Sequence, residues 1–366
     1  MIGSILIFLL VLSILVIVHE LGHFIMARRA GVLVEEFGFG LPPRVFGKKI
    51  GETIYSINLL PFGGFVKLHG ESSEEGVTYP ERAFLNKSKK TRVGILVAGV
   101  VMNFILAVVA FSVVYSFSGV PKETKDVKAV EIVKDSPAEA AGIIAGDIIR
   151  KVDDKNVAST KEFIGAIEEK KGEEVSLELV REGKVINLTV TPRENPPEGQ
   201  GPLGVIISTT EVYFPPIWQR PFIGMQLGFK EAIFWGQTII LGLGKIFKDL
   251  FAGMPPKDLS GPVGIFVITS EAAKFGILAL VNFVGILSVN LAILNIVPFP
   301  ALDGGRLLFI GIESVLGRKV VPKIESIVHT IGMVILLVLL LAITAHDIQR
   351  LIKAGSISGF IDSVLK

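Results

Sequence analysis

Hydrophobic residues in this chain gather into long runs without charge, separated by stretches of ordinary soluble composition. Residues 2–27 hold the first such run, uncharged as far as Val18 and stopped by Arg28 and Arg29. Residues 93–117 form the second, 25 residues with no charge and with Asn103 as the one strongly polar interruption. The third, residues 277–298, carries Asn282, Asn290 and Asn295, and the fourth is residues 327–345. Each is long enough to cross a hydrocarbon layer of about 30 Å as a helix. The first run lacks a basic leader and a small-x-small cleavage site, which predicts a retained helix.

Between the runs the period changes. Residues 52–59 and 64–68 alternate as strands, and Pro61-Phe62-Gly63 between them predicts a hairpin. From about residue 122 to 208 the pattern is that of a soluble α+β unit: strands at 128–133 and 148–152, a short helix opened by Ser136-Pro137, a helix at 160–169, and a hairpin of 175–180 with 185–190. Residues 192–202 are a Pro, Gly and Glu linker. Residues 232–244 are 13 uncharged residues, short for a span and suited to an interfacial or re-entrant segment.

Composition agrees with a membrane protein: half the residues are hydrophobic and the mean hydropathy is +0.60. A net charge of +2 gives no footprint for nucleic acid. The absence of Cys removes disulfides, thiolate zinc sites and cysteine nucleophiles. Basic residues cluster at Arg28, Arg29 and again at 87–92, on both flanks of the loop between the first two runs. By the positive-inside rule that loop is expected in the cytoplasm.

The chemistry enters at His19-Glu20-Leu21-Gly22-His23. Histidines at i and i+4 share one face of a helix, the spacing with which two imidazoles grip one zinc ion, while Glu20 stands ready as general base. Ionisable groups at the end of an uncharged run are costly and therefore point to function. A catalytic zinc site needs three protein ligands and an open position, so one more is required. Asp303 is the strongest candidate: it follows the third run directly, after the helix-breaking Pro298 and Pro300 and before the turn-permitting Gly304 and Gly305. If the third run descends from outside to inside, Asp303 reaches the depth of His19 and His23. That requires residues 232–244 to lie along the membrane, and the basic Arg306, Arg318 and Lys319 favour the same placement. His69, His329 and His346 lack a partner at ligand spacing and are expected to be non-ligands, and Asn103, Asn282 and Asn290 are expected to be interhelical hydrogen-bonders.

His19-Glu20-Leu21-Gly22-His23, the segment Pro61-Phe62-Gly63-Gly64-Phe65-Val66-Lys67, the inserted soluble unit and Asn295-Ile296-Val297-Pro298-Phe299-Pro300-Ala301-Leu302-Asp303-Gly304 together resemble the site-2 protease family. The likeness is to bacterial intramembrane zinc proteases of the regulator-of-sigma-E type. The soluble unit resembles a bacterial-type PDZ domain through Ser136-Pro137-Ala138-Glu139-Ala140-Ala141-Gly142 and Gly146-Asp147-Ile148-Ile149, and there is room for one such domain where the best-known members have two.

The resemblance implies a polytopic α-helical membrane protein with about four transmembrane helices, a membrane-associated β-hairpin and an inserted extracytoplasmic α+β PDZ-like domain. The expected parts are a catalytic membrane half at 1–117, the PDZ-like domain at 118–208, a linker with an interfacial amphipathic helix at 209–274, and a second catalytic half at 275–366. It further implies one Zn²⁺ per chain on His19, His23 and Asp303, Glu20 as the catalytic base, and substrate positioning by Asn295, Pro298, Pro300, Gly63 and Gly64. The expected substrates are single-pass membrane proteins or peptides, of the anti-sigma-factor or signal-peptide-remnant kind, cut within the bilayer. An upstream site-1-type protease, a bacterial inner-membrane location, a site towards the cytoplasm and no nucleic-acid partner complete the expectation. Two other readings stay open from the residues: a membrane PDZ adaptor with a structural metal, and a membrane zincin cutting loops outside the bilayer.

Overall fold

The protein is described from a computed structural model, covering residues 2–71, 77–197, 199–253, 261–318, 320–355 and 359–360. Parts of the expected polar loop (72–76), the soluble-unit linker (198) and the 209–274 segment (254–260), together with Lys319, lie outside these residues. In chain order the elements are α1 (Ile2–Arg29), β1 (Val34–Ile50), β2 (Thr53–Leu68), α2 (Lys89–Ser118), β3 (Val120–Ile132), α3 (Pro137–Ala140), β4 (Ile148–Val152), β5 (Lys155–Asn156) and α4 (Thr160–Glu168). They continue as β6 (Val175–Arg181), β7 (Lys184–Val190), β8 (Val205–Tyr213), α5 (Arg220–Phe251), α6 (Pro262–Phe275), α7 (Ile277–Ile296), α8 (Asp303–Leu316) and α9 (Pro322–Ala354). They group into two units, Met1–Phe117 with Ile217–Lys366, and Ser118–Pro216.

In the first unit, α1, α2, α7 and α9 are long and apolar enough to cross a membrane. α9 keeps large aliphatic side chains such as Val338 and Leu341 exposed, as a helix does when hydrocarbon is its surroundings. α1 and α2 pack at backbone distance because glycines face each other's helix. A Cβ on Gly22 would stand 2.3 Å from the Ala98 carbonyl oxygen, and one on Gly99 would stand 2.5 Å from His23 Nε2. Below this contact Ala27, Val32, Val34, Leu68, Phe84, Ile95, Leu96 and Ile310 form a closed apolar core. The buried Arg92–Glu313 ion pair ties the start of α2 to the end of α8.

The strand region differs from the predicted hairpin. Residues 54–57 and 64–67 do not pair with each other; each pairs with residues 36–39, which lie between them. Phe37, for instance, has Val66 on one side and Tyr55 on the other. β1 and β2 pair antiparallel overall, but Glu36↔Ile54 through Phe39↔Ile57 rise together in number, so that stretch runs in one direction. Residues 44–50 then pair with 53–58 on the far side. The alternation of 34–41 is hidden in the sequence by Gly38, Gly40 and Pro42-Pro43, which is why this strand was not expected.

The stretch 232–244 is also different in extent. It is the middle of a 32-residue helix, α5, whose Gly224, Gly228, Ala232 and Gly236 form a buried small-residue stripe. Added Cβ atoms on Gly224 and Gly228 would meet Ser116 Oγ at 2.4 Å and Ser112 Oγ at 2.6 Å, so the stripe is what seats α5 on α2. Interleaved glycines and the charged Lys230-Glu231 break up the apolar run that marks the other long helices. The expected 209–274 linker contains a second helix as well, α6.

The second unit is a six-stranded sheet in the order β7-β6-β4-β3-β8, with β5 beside β4. Its strands bury Val127, Ile149, Leu177 and Leu179 against Phe163 and Ile167 of α4. Ser136 and Ser159 cap α3 and α4 by accepting from Glu139 N and Glu162 N. Within it Arg181 grips the fully buried Asp147 with Nε to Oδ1 at 2.7 Å and Nη2 to Oδ2 at 2.8 Å.

Candidate metal centre

α1 is helical through residues 19–23, so His19 and His23 project from one face, and both are buried. Asp303 arrives from the opposite end of the chain. α7 stops at Ile296, Val297 is extended, and the chain turns through Pro298-Phe299-Pro300 before α8 begins at Asp303 itself. Two glycines make this turn tight: a Cβ on Gly304 would lie 2.0 Å from the Val297 oxygen, and one on Gly305 would lie 2.5 Å from the Phe299 oxygen. Ala301 takes a left-handed φ of 77°, held by its N–H donating to His329 Nδ1 at 3.0 Å. Pro300 fits against Gly332 of α9, where a Cβ would be 2.2 Å away.

The three ligand atoms close a small triangle. His19 Nε2 to Asp303 Oδ2 is 3.0 Å, His23 Nε2 to Asp303 Oδ2 is 3.2 Å, and the two Nε2 atoms are 3.1 Å apart. Around an ion with bonds of about 2.0–2.1 Å, tetrahedral ligands stand about 3.3 Å from one another, so the spacing fits zinc. Hydrogen bonding alone does not account for it. Each neutral imidazole carries one ring proton, and His23 needs its own on Nδ1, which sits 2.9 Å from the Ile95 carbonyl oxygen. His23 Nε2 is then a bare lone pair aimed into the triangle. The donor set is two imidazoles and one carboxylate, the set used by catalytic zinc.

A cavity of about 440 Å³ opens beside this triangle, lined by Glu20, His23, Phe65, Val66, Asp303 and Arg306 among others. Gly64 lies beside Glu20: a Cβ there would be in ordinary contact with Glu20 Cγ at 3.7 Å, and its tighter neighbour would be the Gly38 carbonyl oxygen at 3.0 Å. Gly63 takes φ 85° at the bend before it. Asn295 Nδ2 is 3.5 Å from His19 Nε2, at the rim of the triangle. Arg306 and Glu71 form an ion pair in the cavity wall.

The candidate ligands and base are therefore brought together, with Asn295, Gly63 and Gly64 close by and Pro298 and Pro300 shaping the Asp303 turn. His69 is engaged elsewhere, with Glu35 at 2.7 Å and the Tyr79 N–H at 3.1 Å. Neither it nor His329 belongs to a metal-competent cluster among the described residues. Three neighbours were not anticipated: Gly99, which lies directly against both imidazoles; Asn103, whose carboxamide faces His19 Nδ1; and the Glu71–Arg306 pair. The signal available for the first two was their i, i+4 spacing on α2, the same spacing as His19 and His23 on α1.

Four helices apolar enough to cross a membrane and a candidate two-His, one-Asp cradle beside a glutamate are the arrangement expected of a multi-pass membrane metallopeptidase. The sequence model for peptidase family M50 matches residues 7–339, and the chain belongs to this family, that of the site-2 proteases. A relative from Clostridium acetobutylicum is 35% identical over 94% of this chain and 97% of its own. The zinc metalloprotease RasP of Geobacillus kaustophilus is 32% identical over 95% of this chain and 98% of its own. The regulator of sigma-W protease RasP of Bacillus subtilis is 29% identical over 96% and 99%. A solved PDZ domain of an SdrC-like protein from Listeria monocytogenes covers 23% of this chain and 87% of its own at 26% identity, with a TM-score of 0.21. Zn²⁺ is accordingly the expected cofactor.

Proposed function

We propose that this protein hydrolyses peptide bonds within transmembrane segments of membrane proteins, using His19, His23 and Asp303 to hold one Zn²⁺ and Glu20 as the proton carrier. The observation that carries the reading is the ligand triangle of 3.0–3.2 Å opening onto a cavity shared with Glu20 and with residues 65 and 66. When bound in this cradle, zinc polarises the scissile carbonyl and acidifies the attacking water. Glu20 takes the proton that water loses as the C–O bond forms, and returns it to the leaving nitrogen as the C–N bond breaks.

A helical substrate must be unwound locally, because its peptide groups are hydrogen-bonded inside the helix. Residues 64–68 offer the means. Their inner edge pairs with 34–39, and among the described residues no strand pairs with the outer edge. An extended substrate segment adds there as a further strand and is carried past Glu20. Asn295 orders the substrate backbone at the rim, and Pro298 and Pro300 fix the turn that aims Asp303. Gly63 and Gly64 keep the edge close to the base.

The membrane is the bacterial cell membrane, with the site towards the cytoplasm and the Ser118–Pro216 unit outside, where it acts as a PDZ-like gate on substrate tails. Substrates of the anti-sigma-factor or signal-peptide-remnant kind, already shortened by a site-1-type protease, fit such a gate. The test is a membrane-embedded reporter incubated with wild type and Glu20→Gln. Glu20→Gln keeps its zinc and leaves the reporter uncut; a Gln variant that still cuts removes the mechanism, and cleavage only of loops outside the bilayer removes the intramembrane assignment.

A further inference from the structure

Asn103 is completely buried on α2, one turn beyond the glycine that touches both imidazoles. Its main-chain oxygen accepts from Ser288 Oγ of α7 at 2.8 Å, which fixes the backbone between two helices. Its carboxamide faces His19: Nδ2 lies 3.3 Å from His19 Nδ1, and Oδ1 is buried without a hydrogen-bond partner.

A metal ligand of this kind offers Nε2 as a lone pair, so its proton sits on Nδ1 and needs an acceptor. His23 finds one in the Ile95 carbonyl. His19 has the same need, and among the described residues the only group bonded to its Nδ1 is Asn103. An N–H cannot be met by an NH₂. A half-turn of the carboxamide exchanges its two ends without moving any other atom, and the end that suits His19 is the oxygen.

We propose that Asn103 is a positioning residue of the metal centre: its carboxamide oxygen accepts the His19 Nδ1–H and so fixes the tautomer and ring plane that present Nε2 to the ion. This rests on His19 being a zinc ligand. α2 then supports both ligands from outside the triangle, a main-chain carbonyl behind His23 and a side-chain carbonyl behind His19. A buried asparagine that merely joins helices would affect packing and leave metal affinity untouched once the chain is folded.

The experiment measures zinc affinity by chelator competition on the purified full chain in detergent. It compares wild type with Asn103→Leu, Asn103→Asp and Ser288→Ala. Leu removes the acceptor at similar volume and weakens zinc by about 10–100-fold. Asp keeps an acceptor and has no NH₂, so affinity stays at the wild-type level or rises. Ser288→Ala removes the interhelical bond from the Asn103 backbone and leaves affinity unchanged. Wild-type affinity in Asn103→Leu overturns the proposal, as does an Asp variant that loses zinc as far as Leu does. Should Leu fail to fold, the comparison of Asp with wild type decides. A readout free of variants is ¹⁵N-histidine NMR of zinc-loaded wild type. A protonated, exchange-protected His19 Nδ1 supports the assignment, and an unprotonated one overturns it. A wild-type chain that binds no zinc would instead remove the metal reading itself.

Discussion

His23 Nδ1 lies 2.9 Å from the carbonyl oxygen of Ile95, a residue on the neighbouring helix. The contact makes α2 part of the proposed metal centre although it supplies no candidate ligand, because it decides which imidazole nitrogen is free. The centre is therefore sensitive to how closely α1 and α2 approach.

Gly99→Ala tests that closeness. The new methyl would stand 2.5 Å from His23 Nε2 and 2.7 Å from His19 Cε1, so either the rings or the helices must shift. The expected outcome is loss of zinc together with a stability cost of about 1–3 kcal/mol for an overfilled site. Gly242→Ala on α5, with nothing within 4 Å, is expected to be neutral or mildly stabilising. Metal content by mass spectrometry and thermal unfolding in detergent check both.

Removing a ligand acts on metal before it acts on fold. Asp303→Ala and His23→Ala are each expected to leave the purified chain with far less than one zinc. Cleavage should fall to the background of a chelator-treated wild type. Restoration of cleavage by added zinc in wild type but not in either variant completes the test.

The Arg92–Glu313 pair joins two elements that flank the site, and both side chains are almost wholly buried. Truncating one partner strands the other's charge, so Arg92→Ala is expected to cost about 3–5 kcal/mol. Arg92→Leu combined with Glu313→Leu should recover much of that loss. Such non-additivity in thermal unfolding distinguishes a paired charge from two independent contacts.

In the Ser118–Pro216 unit, burial acts to raise the Asp147 carboxyl, but the hydrogen bonds from Arg181 and the Ile144 N–H and the guanidinium charge hold it below its ordinary value. A carboxyl depressed in the folded state contributes stability above its unfolded pKa of about 3.9, and that contribution fades as pH falls through the lower folded value. Protection factors for amide exchange in this unit, corrected for the intrinsic pH dependence of exchange, are therefore expected to fall below about pH 4. Asp147→Asn should lose about 1.5–3 kcal/mol at neutral pH and show a weaker acid dependence.

Much of this was readable from residue order. The charge-free runs announced α1, α2, α7 and α9, because in hydrocarbon a spanning helix has little choice of composition. Asp303 could be brought to His19 and His23 by topology, since few arrangements of four spans put a carboxylate at the same depth. α5 was not readable in full: its information is a stripe of small residues, which hydropathy averages away. Residues 34–41 were missed because Gly and Pro obscure their alternation. Asn103 was expected only to join helices. A lone asparagine in a span carries no sign of which side chain it faces, and the register of α2 against α1 supplies that.

His19 and Asp303 stand 284 residues apart. Closing a loop of that length costs about 5 kcal/mol in chain entropy, so the cradle comes into being only after the spans around it have packed. During synthesis the histidines enter the bilayer long before their third companion exists. A ribosome-bound chain lacking residue 303 has a base, two imidazoles and an open edge, but no complete cradle. With the ligand set proposed here, the order of His19, His23 and Asp303 along the chain would keep the hydrolase silent among its neighbours until its last essential part has been delivered.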